Sequence, residues 1–156
     1  MSPLVPATPA HAAAMAAIHA AAFPPGQGWG EDAMAIQVAL PGAFGFIDPE
    51  GAMVLARVAA DEAEILTLAT SPAQRRQGRG RLLLGAAQTS AARAGARAMF
   101  LEVSEANIAA RELYAAMGYA PVGRRPGYYG ATAALTLRLD LPAPLQPSLA
   151  RLSSRT

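Results

Sequence analysis

The apolar and polar positions along the chain follow two different periods, which predict a mixture of strands and helices. A period of two is typical of half-buried strands, whereas apolar residues three and four apart are typical of helices. The predicted strands are Leu4–Ala7, Phe44–Ile47, Met53–Ala59, Ala63–Thr70, Arg97–Val103, Tyr119–Gly123 and Ala133–Leu141. The predicted helices are Pro9–Ala22, Glu31–Ala39, Gly78–Ala94 and a helix that is capped by Asn107 and ended by Gly118.

The order of these elements predicts an α+β fold built on a mixed sheet. Three consecutive strands precede a strand–helix–strand unit, and a hairpin closes the chain, so helices should cover the faces of the sheet. Residues 124–130 are expected to be a loop before the last strand. We predict one domain over residues 1–141 and a mobile tail over residues 142–156, where little apolar pattern remains.

Composition excludes several kinds of chemistry. The chain has 156 residues and no cysteine, and all 13 of its basic side chains are arginine. A thiol nucleophile, a cysteine–zinc site and a lysine Schiff base are therefore ruled out. No apolar run approaches the ~20 residues of a membrane span. The N-terminus does not resemble a signal peptide, so we expect a cytoplasmic protein that does not bind membranes.

The distribution of charge points to a small anionic ligand. The net charge is only +2, but Arg75, Arg76, Arg79 and Arg81 fall within seven residues. Such a focused cluster suits a compact polyanion better than a nucleic acid. The two histidines, eight residues apart, lack the spacing of a metal pair, and we interpret them as ordinary helix residues with no metal site.

The arginines lie in a glycine-rich turn between a strand and a helix. Such a turn presents backbone N–H groups at the start of the helix, where phosphates bind well. A dinucleotide fingerprint needs a third glycine where this chain has Leu83, and a phosphate-binding loop needs a lysine. The remaining pattern, from Arg75 to Gly80, is glutamine or arginine followed by x-x-G-x-G.

This turn and its surroundings resemble the GCN5-related N-acetyltransferase (GNAT) family, and within it the ribosomal-protein alanine N-acetyltransferases, the RimI type. The resemblance covers roughly residues 2 to 140. The residues on which it rests are Ala22, Phe23, Pro24 and Trp29, the turn Gln74–Arg81, Leu101, Glu102 and Val103, Asn107, Leu113, Tyr114, Gly118 and Tyr119, and Arg124, Arg125, Tyr128 and Tyr129. The resemblance implies about seven mostly antiparallel strands flanked by about four helices, with parallel strands four and five splayed apart.

The resemblance also implies a ternary complex in which acetyl-CoA donates acetyl directly to an amine. Glu102 is then the base and Tyr114 the acid that protonates the departing thiolate. The implied acetyl-CoA-binding residues are Leu68, Ala69, Thr70, Arg75, Arg76, Gln77, Gly78, Arg79, Gly80, Arg81, Asn107 and Tyr114. The implied acceptor-binding residues are Trp29, Glu102, Tyr128 and Tyr129.

Each assignment has a structural alternative. Glu102 could form an ion pair with an arginine, and Glu64 is a second candidate for the base. Tyr114 could be a core tyrosine, since it lies on an amphipathic helix. Asn107 could serve only as a helix cap, and Trp29 could anchor its loop to the core.

The acceptor implied by the resemblance is the N-terminal amine of a protein such as a ribosomal protein that begins with alanine. The loop after Tyr129 is shorter than in that type and lacks its acidic residue, and Thr67 stands where the family often has asparagine. A small-molecule amine, another protein amine or a module that only binds acyl-CoA are the alternatives. The oligomeric state is expected to be a monomer or a weak homodimer.

Overall fold

The structure, a computed structural model, describes residues 3–75, 77–130 and 132–143, with only the backbone of Tyr128 and Tyr129. Seven strands form one sheet in the order β1-β2-β3-β4-β5-β7-β6. The strands are β1 (Val5–Pro6), β2 (Ala43–Asp48), β3 (Ala52–Ala59), β4 (Glu62–Thr70), β5 (Ala98–Ser104), β6 (Ala120–Tyr129) and β7 (Thr132–Asp140). The helices are α1 (Ala12–Ala22), α2 (Glu31–Ala39), α3 (Arg79–Arg93) and α4 (Ile108–Ala116), and short 3-10 turns form at Pro9–His11 and Pro72–Gln74.

Helices cover both faces of the sheet because its central strands are apolar on both sides. On β3, Val54 contacts the cluster formed by α3 and α4, whereas Met53 and Leu55 contact the cluster formed by α1 and α2. Met15 of α1 and Met34 of α2 are fully buried in that second cluster. The predicted mixed α+β sheet is therefore confirmed.

The one parallel pair of strands is short, and this opens the sheet. Strands β4 and β5 pair only at Glu62–Glu64 with Ala98–Phe100, so their C-terminal halves diverge. A β-bulge at Leu66 adds to the divergence, since Thr67 pairs with Leu55 while Ile65 pairs with Ala56. The predicted splay of strands four and five is thus present.

The prediction of a loop over residues 124–130 was wrong. Strand β6 extends to Tyr129 and pairs with β7 as far as Thr132. The register shifts between Arg125 and Tyr129, where Gly127 has a φ of 70°. A bulge inside a long hairpin therefore accommodates Pro126 and Gly127, which sequence reasoning had interpreted as loop residues.

The predicted tail, residues 142–156, lies almost entirely outside the described residues, as does Arg76. Within the part of the chain that the structure describes, no helix is long and apolar enough to cross a membrane.

Candidate active site

The glycine-rich turn lies where the sheet divides. Gly78 has a φ of 76° and caps α3, a left-handed conformation that glycine adopts without strain. A Cβ atom on Gly80 would lie 3.2 Å from Leu113 of α4 and 3.9 Å from Leu68 of β4. The start of α3, the diverging half of β4 and the helix of Tyr114 therefore meet at one place.

The start of α3 can bind an anion through its backbone. The first helical hydrogen bond runs from the Leu82 N–H to the Gly78 carbonyl (3.1 Å), so the N–H groups of Arg79, Gly80 and Arg81 have no partner within the helix. These donors, together with the partial positive charge of the helix end, suit a diphosphate. The residues present thus fit the phosphates of a coenzyme A.

The arginines of the turn do not all face outward to a ligand. The Arg79 guanidinium donates to Asp48 (2.5 Å) and also to Glu50, which ties α3 to the β2–β3 hairpin. Hydrogen bonding to Asp48 is the main cause that raises the pKa of Arg79. The guanidinium of Arg79 is therefore engaged by protein carboxylates. The predicted contact of Arg79 with acetyl-CoA would then be made by the backbone N–H of this residue.

Arg75 and Gln77 also contact the protein itself. The Arg75 guanidinium donates to the carbonyl of Ala22 (2.9 Å) at the end of α1 and to that of Thr70 (3.4 Å). The Gln77 amide donates to the carbonyl of Ala73 (3.2 Å). Among the described arginines of the turn, Arg81 is the one with no ion pair or side-chain hydrogen bond to described residues. Arg81 is therefore the side chain most available for a phosphate.

Tyr114 lies next to this junction, and its hydroxyl has no hydrogen-bond partner among the described residues. The residue is 7% exposed, and its ring meets that of Tyr119 edge-on at 5.8 Å. Among the described residues no buried side-chain oxygen lacks a partner, yet the Tyr114 hydroxyl forms no hydrogen bond, so it must reach a solvent-accessible space. Burial, with a smaller contribution from Tyr119, raises the pKa of Tyr114 to about 12. The phenol is thus protonated and able to donate.

Glu102 lies on the opposite face of β5 from Tyr114. Leu101 and Val103 point into the cluster that contains Tyr114, and strand alternation sends Glu102 the other way. Its carboxylate pairs with the Arg125 guanidinium of β6, and the two side chains are 29% and 53% exposed. The ion pair that is the structural alternative for Glu102 is therefore present. Glu64, which pairs in register with Phe100 of β5, is also exposed.

A second pair fastens the same strands. Arg124 of β6 donates to the carboxylate of Glu105 (2.7 Å), just beyond the end of β5. Hydrogen bonding to Arg124 is the largest cause that lowers the pKa of Glu105. The segment predicted as a free loop is thus held against the end of β5 by two arginine–carboxylate pairs.

The remaining predicted residues are placed as follows. The Asn107 side chain accepts a hydrogen bond from the Ala110 N–H (3.2 Å) and so caps α4. This is the alternative role considered for Asn107, that of a helix cap. Trp29 packs against the α1–α2 cluster and stacks on His19, so it anchors its loop, and its predicted contact with an acceptor stays a prediction. Arg76 and the side chains of Tyr128 and Tyr129 lie outside the described part of the structure.

Sequence reasoning missed one buried polar group of this region. His19 of α1 is 2% exposed and hydrogen-bonded through both ring nitrogens, to the Trp29 N–H and to the Thr67 hydroxyl. The sequence indicates only an ordinary helix residue at this position, and the structure adds these two hydrogen bonds. The aromatic residues that follow it at positions 23 and 29 were the available indication. Within the described residues, no group of three histidine or carboxylate side chains could hold a metal.

A divided mixed sheet with an anion-binding turn at the split defines a class of proteins that hold an extended, phosphate-bearing ligand between two strands. The model of the acetyltransferase (GNAT) family matches residues 15–119, which is more than half of the chain. The chain belongs to this family, as the resemblance implied.

Comparisons with individual proteins agree with this membership. The chain is 35% identical over 81 residues to the [ribosomal protein bS18]-alanine N-acetyltransferase of Escherichia coli, a match that covers 52% of this chain and 55% of that protein. The chain spans about half or less of the length of the first curated relatives that it matches.

Solved structures show the same fold. The crystal structure of the ribosomal-protein-S18-alanine N-acetyltransferase from Escherichia coli has a TM-score of 0.81 at 24% identity, covering 94% of this chain and 97% of that one. Arabidopsis thaliana NAA60 in complex with acetyl-CoA has a TM-score of 0.73 at 17% identity, covering 88% and 97%. The predicted GNAT fold is confirmed.

Proposed function

We propose that this protein is an acetyl-CoA-dependent N-acetyltransferase whose acceptor is the N-terminal α-amine of a protein. The observation on which the proposal chiefly rests is the meeting of the α3 turn, β4 and α4 at the split in the sheet, within the family match. The turn offers backbone donors for a diphosphate, and the diverging strands leave room for an extended arm beside Leu68–Thr70. A backbone N–H near Leu68 is the proposed donor to the thioester oxygen.

The proposed reaction needs one base and one acid. The amine nitrogen attacks the thioester carbonyl carbon, a C–N bond forms, and the C–S bond breaks. Glu102 takes the proton from the amine, directly or through water, and the Tyr114 hydroxyl stabilises or protonates the departing thiolate. The proposal requires that the split, where β4 and β5 pair only at Glu62–Glu64 with Ala98–Phe100, connects the face that bears Glu102 with the face that bears Tyr114.

Two arguments favour a protein N-terminus as the acceptor: the low pKa of its α-ammonium group and the name of one relative. An α-amine has a pKa of about 8, so a good fraction is already neutral near pH 7.5, whereas a lysine amine near 10.4 costs roughly 4 kcal/mol to deprotonate there. The matched relative from Escherichia coli is named as an alanine N-acetyltransferase of ribosomal protein bS18. We therefore propose a ribosomal protein that begins with alanine as the substrate.

The test is the release of CoA thiol with two panels of acceptors. Peptides that begin with alanine should be acetylated, and polyamines and aminoglycosides should not. Mass spectrometry must place the acetyl group on the α-amine of the peptide. If only the small amines are acetylated, the acceptor is a small-molecule amine and the proposed protein N-terminus is wrong. If acetyl-CoA binds but no acceptor is acetylated, the protein is an acyl-CoA-binding module.

The choice of base is tested with matched variants. Glu102→Gln and Glu64→Gln each replace an exposed carboxylate by a similar amide on neighbouring strands. We expect Glu102→Gln to lower kcat/KM by about 10²- to 10⁴-fold, the usual contribution of a general base, and Glu64→Gln to lower it less than threefold or so. The reverse order would assign the base to Glu64.

A further inference from the structure

His19 forms a hydrogen bond through each of its ring nitrogens, and together these bonds fix its protonation. The Trp29 N–H donates to Nδ1 (2.9 Å), and Nε2 lies 2.9 Å from the Thr67 hydroxyl oxygen. Nδ1 accepts a hydrogen bond from the backbone N–H of Trp29, so it carries no hydrogen itself. The ring hydrogen must therefore be on Nε2, which donates to Thr67. A single neutral tautomer therefore satisfies both contacts.

On one side, the imidazole holds the loop between α1 and α2. The Phe23 ring stacks on it with a centroid distance of 4.4 Å and an interplanar angle of 28°, and the Trp29 ring does so at 5.1 Å and 23°. The Phe23 N–H also donates to the His19 carbonyl (3.1 Å). The first and the last aromatic residues of the loop are thus both fixed on one side chain.

On the other side, the imidazole contacts β4 where that strand leaves β5. Thr67 follows the extra residue of the β-bulge and precedes Leu68, whose side chain lies beside Gly80 of the anion-binding turn. Thr67 is 9% exposed, so its hydroxyl bond to His19 is sheltered from water. His19 is therefore a direct bridge between the Trp29 loop and the strand at the split.

We infer that His19 is a positioning residue, which sets the loop of Trp29, and with it a bound acceptor, relative to the thioester held beside β4. The inference rests on the proposed function, since it assumes that the acceptor contacts this loop. It predicts that the bridge affects binding of the acceptor more than binding of acetyl-CoA, whose phosphates are held at α3.

Two substitutions separate the two ends of the bridge. In His19→Asn the amide oxygen can occupy the place of Nδ1 and accept from the Trp29 N–H, while the contact with Thr67 is lost. In His19→Gln the longer side chain reaches Thr67, while the acceptor for Trp29 is lost. Thr67→Val keeps the shape of the residue on β4 and removes its hydroxyl. It is a second variant that breaks the bridge without altering α1.

The readouts are kinetic and spectroscopic. Trp29 is the one tryptophan of the chain, so its fluorescence reports on the loop directly and without turnover. We expect His19→Gln to shift the Trp29 emission to longer wavelength and to raise the KM for an alanine peptide about tenfold, with the KM for acetyl-CoA within twofold or so. His19→Asn should keep the wild-type emission and, because it also loses the contact with Thr67, raise the KM for the peptide about threefold. Thr67→Val should keep the emission and raise the KM for the peptide about threefold or more.

The outcomes are distinguishable from those of the proposed function. A His19→Gln variant with unchanged emission and unchanged KM for the peptide overturns the inference, as does an equal rise in both KM values. If the wild type acetylates no acceptor while the emission still separates His19→Gln from His19→Asn, the proposed function and the acceptor role fail, and the bridge between loop and strand stands.

Discussion

Replacing Tyr114 by phenylalanine isolates a single hydroxyl group, because the ring is buried and the hydroxyl has no hydrogen-bond partner among the described residues. The packing of the ring in the cluster of α3 and α4 is kept by phenylalanine. Removing a polar atom that bonds to no protein group costs little, so the free energy of unfolding should change by less than about 0.5 kcal/mol. Any loss of activity can then be assigned to chemistry.

The size of that loss follows from the acidity of the phenol. With a pKa of about 12, Tyr114 is about 3.5 units less acidic than a reference thiol near 8.5. Complete proton transfer to a free thiolate would be uphill by about 5 kcal/mol at 1.36 kcal/mol per unit. In the proposed mechanism the phenol would therefore act first as a hydrogen-bond donor to the developing thiolate. Such a bond to a charged group contributes about 1.5 to 3 kcal/mol, which corresponds to about 10- to 150-fold in kcat.

Tyr119→Phe is the matched control. Burial, offset in part by a hydrogen bond with Gln88, raises its pKa to about 12, and its ring packs against that of Tyr114. Its hydroxyl accepts from the Gln88 side-chain amide (3.0 Å). Tyr119→Phe should therefore lower the free energy of unfolding by about 0.5 to 1.5 kcal/mol and leave kcat unchanged.

The assay is release of CoA thiol under saturating acetyl-CoA, with thermal unfolding of each variant measured alongside. The KM for acetyl-CoA should be within about twofold of the wild type in Tyr114→Phe, because we propose that the phosphates of the coenzyme bind at α3. The phenol stays protonated well above pH 10. Below about pH 11, the pH profiles of the wild type and of Tyr114→Phe should therefore have the same shape. Full wild-type kcat in Tyr114→Phe, or an equal loss in Tyr119→Phe, would refute the assignment of the acid.

Three further predictions follow from burial and charge. Arg79→Met leaves the fully buried carboxylate of Asp48 without its ion-pair partner and should lower the free energy of unfolding in urea by about 3–5 kcal/mol. Arg138→Met, at an exposed pair, should lower it by less than about 1 kcal/mol. Equal losses would contradict the argument that burial makes the first pair important. The defect of Glu102→Gln should shrink as the pH rises from 7 to 9, because more of the acceptor α-amine is then neutral; a defect that is constant with pH speaks against a base. Burial lowers the pKa of His19, so the unfolded chain takes up its proton first and stability should fall as the pH drops below about 6.5, by at most about 1.4 kcal/mol per unit, with a smaller slope in His19→Gln.

The sequence was sufficient for most of the elements and for the glycine-rich turn because these depend on short-range patterns. Strand alternation and the punctuation of Pro72 and Gly95 define β4, α3 and β5 closely. The x-x-G-x-G turn works through backbone geometry, and glycine at a φ of 76° is visible in the sequence as Gly78. These features need no knowledge of distant partners.

The sequence was insufficient wherever a residue's role depends on a partner far along the chain. Arg79 was assigned to a phosphate, yet its guanidinium is held by Asp48, 31 residues earlier. The sequence indicates only an ordinary helix residue at His19, because Thr67, 48 residues later, gives no periodic indication in α1. Pro126 and Gly127 are typical of loops, and only the ladder to β7 makes that segment a strand.

Two arginine–carboxylate pairs in the same sheet show how burial decides between a structural and a chemical role. Asp48 is fully buried beside Arg79. Replacing Arg79 would leave the Asp48 carboxylate charged, unpaired and shielded from water, so this pair has a structural role. The carboxylate of Glu102 is 29% exposed and its arginine partner, Arg125, is 53% exposed, so this pair is worth only about 0–1 kcal/mol. In the proposed reaction an incoming amine displaces the Arg125 guanidinium from this carboxylate. The ion pair expected as an alternative to the base role for Glu102 is therefore compatible with that role.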